Sequence, residues 1–354
     1  MLIHDHLEYW AREQPSVQFM VQGDAQFSYS QSAEIVHRLA NGIVEAKIDV
    51  GERIGFLGWN RPESVLLYLA ASKAGVIAVP LDARQTPDQW AFVINDAQVK
   101  LLFCATEFAS TINGIRDEIP TVDSLVDMDG KQVESDWITF NAFLGDTAPL
   151  PTVRTVTERD PFYMICTSGT TGTPKGVVHS HGAINAYLKQ NDLICRGQPG
   201  ERWLMVTPIF HTSAISHIAL LSTYTGGTIQ LLPTFDPEEV VLALSEDDIA
   251  GTSLGAPMIG RCLNSVLDVA ERSYDSLRLI TYGGAPISAE TLGRATDVFG
   301  CDFLQVYGLT ESSFVTFLTP NDHRSALQGK SNLLMSAGRP VPGCEVRIMD
   351  DGGN

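Results

Sequence analysis

The chain is poor in the features that mark several large classes of protein. Basic residues are scarce: 24 Lys and Arg stand against 42 Asp and Glu, a net charge of −18. A surface of that sign repels polyanions, which argues for a soluble protein with no nucleic-acid or anionic-membrane partner. No apolar run approaches the about 20 residues that a membrane-spanning helix needs. The first residues, Met1-Leu2-Ile3-His4-Asp5-His6, lack the basic and apolar regions of a signal peptide. Cysteines stand scattered at 104, 166, 195, 262, 301 and 344, with no C-x-x-C pair. Four of the six lie in apolar, strand-like surroundings, so buried reduced thiols in a cytoplasmic protein are the expectation. The eight histidines form no H-E-x-x-H or similar spacing, which argues against a protein-held metal site.

What remains is a chain of 354 residues, 44% hydrophobic, enough for two or more packed domains. Apolar segments and helix-period segments alternate along it. Leu7, Trp10 and Ala11 mark an early amphipathic helix; a second starts with Ser30 as candidate N-cap and carries Ile35, Leu39 and Ile43 on one face. Arg53–Leu57, Val76–Pro80 and Val99–Cys104 are predicted strands. The helices between them open at Pro62 and at Thr86-Pro87, and the first stops at Gly75. Strand, helix, strand at this spacing predicts parallel βαβ units. Residues 107–150 are less regular. Beyond them Trp203–Val206, Thr228–Leu232, Leu277–Tyr282 and Phe303–Tyr307 are predicted strands with helices between. The expected fold is α/β with mostly parallel sheets. Its divisions are an N-terminal sub-domain over 1–150, a second over 151–330, and a short remainder over 331–354.

The densest chemical signal is Thr167-Ser168-Gly169-Thr170-Thr171-Gly172-Thr173-Pro174-Lys175-Gly176. Hydroxyls, three glycines and a lysine sit between two apolar segments, Phe162–Cys166 and Val177–His179, with a helix beginning near Gly182. A turn of this kind can aim backbone N–H groups, hydroxyls and an ammonium at one anion. A plain polar linker needs neither the Pro-Lys-Gly ending nor flanking strands. A Walker loop fits the spacing of Gly169 and Lys175. However, Pro174 replaces its glycine and Gly176 the hydroxyl that would hold Mg²⁺.

Together with Tyr307-Gly308-Leu309-Thr310-Glu311, this stretch resembles the adenylate-forming superfamily: acyl-CoA synthetases, adenylation domains of peptide synthetases and firefly luciferase. Pro208-Ile209-Phe210-His211, Gly283-Gly284-Ala285-Pro286 and Gly338-Arg339-Pro340-Val341-Pro342-Gly343 support the resemblance in the expected order, from about residue 5 onward. It implies two stacked α/β sub-domains layered αβαβα, followed by the start of a small β-barrel. It also implies chemistry. A carboxylate is a poor acyl electrophile, so such enzymes first attack the α-phosphorus of ATP with it, and an acyl-adenylate forms as pyrophosphate leaves. By resemblance, Ser168, Thr170, Thr171 and Lys175 hold the β- and γ-phosphates, in a cofactor-binding loop that also includes Thr167, Gly169 and Gly172. Thr310 donates to the α-phosphate and Glu311 helps hold Mg²⁺.

The same resemblance places adenine between Gly283-Gly284-Ala285-Pro286 and the Tyr307-Gly308 segment. Gln305 stands where relatives often carry an adenine-contacting Asn. The acid would enter beside Phe210-His211 and Gly255-Ala256, with His211 between acid and thiol. His211 in place of Asp after Phe210 argues against amino-acid substrates. The expected partners are a carboxylic acid and coenzyme A, or a carrier protein in its place; a homodimer is open. Glu345–Met349 is expected to be a strand opening the barrel. The later ribose-binding aspartate, the hinge and the C-terminal domain with its adenylation lysine are absent. The expectation is therefore a truncated N-terminal region that binds nucleotide but adenylates poorly.

Overall fold

The computed structural model describes all residues except 132, 134–135, 146–153, 168–173, 351 and 353–354. Its strands are β1 (Gln18–Gln22), β2 (Ala25–Ser28), β3 (Arg53–Leu57), β4 (Ile77–Leu81), β5 (Val99–Cys104), β6 (Ser124–Asp127), β7 (Ile138–Thr139) and β8 (Pro161–Thr167). They continue as β9 (Lys175–Ser180), β10 (Arg202–Met205), β11 (Thr228–Leu231), β12 (Ile249–Ser253), β13 (Leu279–Gly283), β14 (Asp302–Leu309), β15 (Ser313–Leu318) and β16 (Arg339–Pro340).

These form two sheets. One has seven strands in the order β7-β6-β5-β3-β4-β8-β9, all parallel except the β8–β9 hairpin. The other has nine, β16-β15-β14-β13-β12-β10-β11-β1-β2, parallel through its centre and antiparallel at both edges. Parallel strands are covered on both faces and so read as continuous apolar runs; every residue of β4 and β12 is buried. Pro80 sits in β4 because the ladder to β8 is confined to Ala78↔Tyr163, which leaves its missing N–H without consequence.

The helix Pro62–Ala74 explains how the sheets stack. It is apolar nearly all round, from Val65 to Ala71 and at Ala74, and it touches β1 of one sheet and β3, β4 and β8 of the other. A helix with no polar face has to be covered on every side. One hydrophobic core thus runs between the sheets, a second lies under helices Pro237–Glu246, Ala256–Ser265 and Ala289–Phe299, and a third under Pro87–Asp96 and Thr106–Gly114. The layering is αβαβα.

Several elements differ from the sequence expectations. Sheet membership does not switch at residue 150: β8 and β9 complete the seven-stranded sheet, while β1 and β2 join the nine-stranded one. Ser28, not Ser30, caps the second helix. It ends β2 in extended conformation, its Oγ accepts from the Gln31 N–H at 3.2 Å, and the Gln31 side chain accepts from the Ser28 N–H at 2.9 Å. Residues 107–150 hold more structure than their composition suggests, including β6, β7 and the short helix Phe140–Leu144. The expected strand over Glu345–Met349 is not formed: among the described residues no ladder follows β16, and Ile348 is fully exposed. An extended segment counts as a strand only when a neighbour takes up its N–H and C=O groups.

The N-terminal helix Ile3–Glu13 docks through uncharged histidines. His4 Nδ1 lies 2.9 Å from Ser72 Oγ, His6 Nε2 lies 2.8 Å from Asn185 Oδ1, and Ile3 N–H donates to His181 Nδ1 at 3.4 Å. Burial pushes His4 and His181 down to about 4 and lowers His6 as well. The folded chain keeps these rings neutral below pH 6.5, where an unfolded chain takes up protons. Stability is therefore present above about pH 6.5 and lost as pH falls towards 4. Urea unfolding at pH 5 should show a loss of roughly 1–2 kcal/mol for each of His4 and His181 relative to pH 7, and His4→Gln should flatten the dependence. A midpoint unchanged over that range would count against this account.

Candidate active site

Two hairpins bring the sequence-predicted groups together. In the first, β8 and β9 pair with Thr167 opposite Lys175, and Thr167 Oγ1 reaches the Lys175 carbonyl at 3.5 Å. Gly176 packs against Met164, where an added Cβ would lie 2.6 Å from the sulfur. Ser168, Gly169, Thr170, Thr171 and Gly172 lie outside the described residues. The pairing of Thr167 with Lys175 still fixes both ends of that loop, and Lys175 is exposed.

In the second hairpin, β14 and β15 are joined by Thr310-Glu311-Ser312. Glu311 is thus an exposed turn residue rather than the first carboxylate of a helix. The turn is tight: Leu309 N–H donates to Ser312 Oγ at 3.1 Å, Ser312 N–H to the Leu309 carbonyl at 3.2 Å, and Ser313 adopts φ +54°. Gly308 is obligatory there. The register shifts between Tyr307 and Gly308, and a Cβ on Gly308 would lie 1.7 Å from the Ser313 carbonyl oxygen.

These hairpins belong to different sheets, and His179 joins them. Its Nε2–H donates to the Thr310 carbonyl at 2.7 Å. Burial lowers its pKa, against the opposing pull of the Thr310 bond and Glu311, so the ring is neutral. Two further side chains bridge the same seam. Asn60, just beyond β3, donates to the Thr207 and Leu232 carbonyls at 3.0 and 3.1 Å and accepts from Ile209 N–H at 2.8 Å. Arg84, just beyond β4, grips Asp82 through two bonds of 2.9 and 2.7 Å, lies 5.0 Å over the Phe210 ring, and donates to His211 Nε2 at 2.9 Å.

A guanidinium cannot accept a proton, so His211 Nε2 carries the lone pair and Nδ1 the hydrogen. His211 touches water at the rim yet has protein on most sides, and burial first, then Arg84, lowers its pKa. Sequence reasoning missed Asn60, Arg84 and His179. The available signal was position: Asn60 and Arg84 follow the carboxyl ends of predicted parallel strands, where ligands gather.

Beside Thr310 and His211 opens a cleft of about 390 Å³, a size suited to a small organic ligand. Thr207, His211 and Thr212 form one side, Ser253–Gly255 and Met258 another, and Gly283, Gly284, Val306, Gly308–Thr310 and Phe314 the third. Gly284 has φ +76° and open space around it, while a Cβ on Gly283 would lie 2.7 Å from the Val306 carbonyl oxygen. Gly284, Ala285 and Pro286 are exposed, and Tyr307, on the neighbouring strand, is 50% exposed. Gln305 is buried: its Oε1 accepts from Tyr282 OH at 3.1 Å, and its Nε2 donates to the carbonyl of exposed Ser336 at 3.2 Å.

The family model for AMP-binding enzymes matches residues 7–354. This chain belongs to the AMP-binding enzyme family. Among relatives of this AMP-binding chain, the indoleacetate–CoA ligase of Aromatoleum aromaticum is 30% identical over 336 residues, covering 92% of this chain and 62% of the relative. The fatty acid–[acyl-carrier-protein] ligase ScoC of Streptomyces coeruleorubidus is 26% identical over 349 residues, covering 97% and 64%. The inhibitor-bound crystal structure of the N-terminal domain of FACL13 from Mycobacterium tuberculosis superposes with a TM-score of 0.88 at 26% identity, over 100% of this chain and 85% of that one. The chain therefore spans less than two-thirds of the length of these two curated relatives. No described helix is long and apolar enough to cross a membrane, and no described group of three or more His, Cys, Asp or Glu could hold a metal by itself.

Gly308→Ala should destabilise the protein by roughly 3 kcal/mol or more, because the β14–β15 bulge has no room for a methyl group. Denaturant unfolding measures this. A loss below about 1 kcal/mol, the ordinary cost of a surface change, would show that the hairpin relaxes.

Proposed function

We propose that this chain is the nucleotide- and acid-binding region of an ATP- and Mg²⁺-dependent carboxylate–CoA ligase working through an acyl-adenylate. The observation that carries the reading is the His179–Thr310 bond. It sets the Lys175 hairpin beside Thr310 and Glu311, at the mouth of a cleft that can take an acid.

In this reading the carboxylate enters the cleft and points at Thr310. A carboxylate oxygen forms a bond to the α-phosphorus of ATP as the bond to the bridging oxygen of pyrophosphate breaks. No proton moves in that step, so the chain's task is to place charges and dipoles rather than to supply a base. Lys175 and the hydroxyls of Ser168, Thr170 and Thr171 would take the charge gathering on pyrophosphate, and Thr310 would donate at the α-phosphate. Gly283–Pro286 and Tyr307 would flank adenine. A lone exposed carboxylate such as Glu311 fits Mg²⁺, which keeps most of its octahedral shell as water and phosphate oxygen; when bound, that ion would neutralise phosphate charge. In the second half-reaction the thiol sulfur of CoA bonds to the acyl carbon, AMP leaves and the thiol proton is released. His211, with Nε2 engaged by Arg84, would shape the mouth between acid and thiol rather than act as the base.

A reduced cytoplasmic setting suits the six free thiols. A second reading, transfer of the acyl group to a carrier protein, is favoured by the comparable similarity to the carrier-protein ligase. Acid-dependent exchange of labelled pyrophosphate into ATP by the natural protein tests the adenylation step, and comparison of CoA with a phosphopantetheinylated carrier identifies the acceptor. Lys175→Ala should slow exchange by roughly 10²-fold while acid binding changes little. An unaltered exchange rate would remove Lys175 from the role given to it.

A further inference from the structure

Among the described residues, the side chains lining the cleft include no carboxylate, ammonium or guanidinium. A second charge on a bound acid would therefore be stripped of water with no countercharge to meet it. The cleft wall is instead apolar at Leu254, Met258, Val306, Leu309 and Phe314, with hydroxyls between.

Three buried polar atoms at this wall have no hydrogen-bond partner among the described residues: Thr207 Oγ1 and Thr212 Oγ1, on lining residues, and Nδ1 of His217. His217 is completely buried in a π-helical turn, Ile215–Ala219, a widened turn of a kind frequent at functional sites. Its ring meets Phe314 edge-on at 5.1 Å, and Phe314 lines the cleft, so the imidazole stands one side chain behind the wall.

The Thr281 hydroxyl lies 2.8 Å from His217 Nε2 and 3.2 Å from the Thr252 carbonyl, with one proton for the two contacts. In either tautomer Nδ1 is left without a partner among the described residues. Burial holds the pKa near 4, which keeps the ring neutral at pH 7. A buried ring nitrogen without a hydrogen-bond partner is uncommon in native interiors and asks for one.

We propose that the cleft selects a monocarboxylate with no second charge, carrying a hydroxyl on its hydrophobic body, and that this hydroxyl hydrogen-bonds to His217 Nδ1. The hydroxyl gains access when Phe314 changes rotamer, and Thr207 offers a second polar contact on the same wall. The proposal rests on the acid-activating reading above and sharpens it to a class of acid.

The test uses matched pairs differing by one hydroxyl: benzoate and 4-hydroxybenzoate, 3-phenylpropanoate and 3-(4-hydroxyphenyl)propanoate, octanoate and 8-hydroxyoctanoate. Equilibrium binding of each to the 354-residue chain reports the cleft's preference independently of any chemistry; pyrophosphate exchange reports adenylation separately. At least one hydroxy acid should bind roughly 10- to 100-fold more tightly than its partner. His217→Phe should abolish that difference while binding the unsubstituted acid as well as the wild type does. No preference in any pair, as expected if a buried water alone satisfies Nδ1, overturns the proposal, and so does a preference that survives in His217→Phe. If that variant fails to fold, the wild-type pairs decide. A hydroxyl preference with no exchange by the natural protein would sustain this proposal while removing the adenylation reading.

Discussion

The hydrogen bond from His179 to the Thr310 carbonyl joins two loops that no sheet joins. β9 is the edge of one sheet and β14 lies near the edge of the other, so backbone pairing fixes neither loop relative to its counterpart. A side chain long enough to cross the seam must do it. Imidazole suits the task because burial keeps it uncharged and its single N–H matches a single carbonyl oxygen. Asn60 and Arg84 cross the same seam at other points, each from a residue just beyond a parallel strand. The candidate site is therefore a property of the seam rather than of either sheet.

The seam is polar where it meets the ligand and apolar behind. Helix Pro62–Ala74 fills the space between the sheets with Val, Leu and Ala, while the bridging amide, guanidinium and imidazole stand towards the carboxyl ends of the strands. That division lets the core hold the sheets together without directionality, while a few hydrogen bonds set their relative position. Their value lies in geometry, since a displacement of about 1 Å at a reacting centre changes rates far more than it changes folding stability.

Much of this was legible from residue order. Apolar runs separated by helix-period segments announced the parallel sheets, since strands such as β4 are buried on both faces and leave an unbroken hydrophobic trace. The glycines at 283 and 284 were read as part of an adenine site, whereas at Gly283 and Gly308 the structure shows backbone packed on backbone. Pairing across long separations was not legible. Nothing in Gln18–Gln22 says that it lies beside β11, nor does the text of β8 and β9 say which sheet they complete. Gln305 shows the limit at a single residue. Its amide could serve a ligand or the protein, and the two partners it has here, Tyr282 and Ser336, are both distant in sequence. Short elements such as β6 and β7 were lost because two to four residues carry too little periodicity to register.

The placement of β1 has a consequence for how the chain comes into being. Met20 pairs with Ile229 and Val21 with Gln230, so a segment made among the first waits for a partner roughly 200 residues later. At bacterial or eukaryotic synthesis speeds that is an interval on the order of 10–40 s. During it the hairpin β1–β2 has an open parallel edge and the helix Ile3–Glu13 lacks its docking surface on helix His181–Cys195. The seven-stranded sheet, by contrast, has all its strands once Ser180 has emerged. Nascent chains should therefore pass through a stage with one sheet assembled and the earliest residues still unplaced, a window in which a chaperone that shields strand edges would matter most.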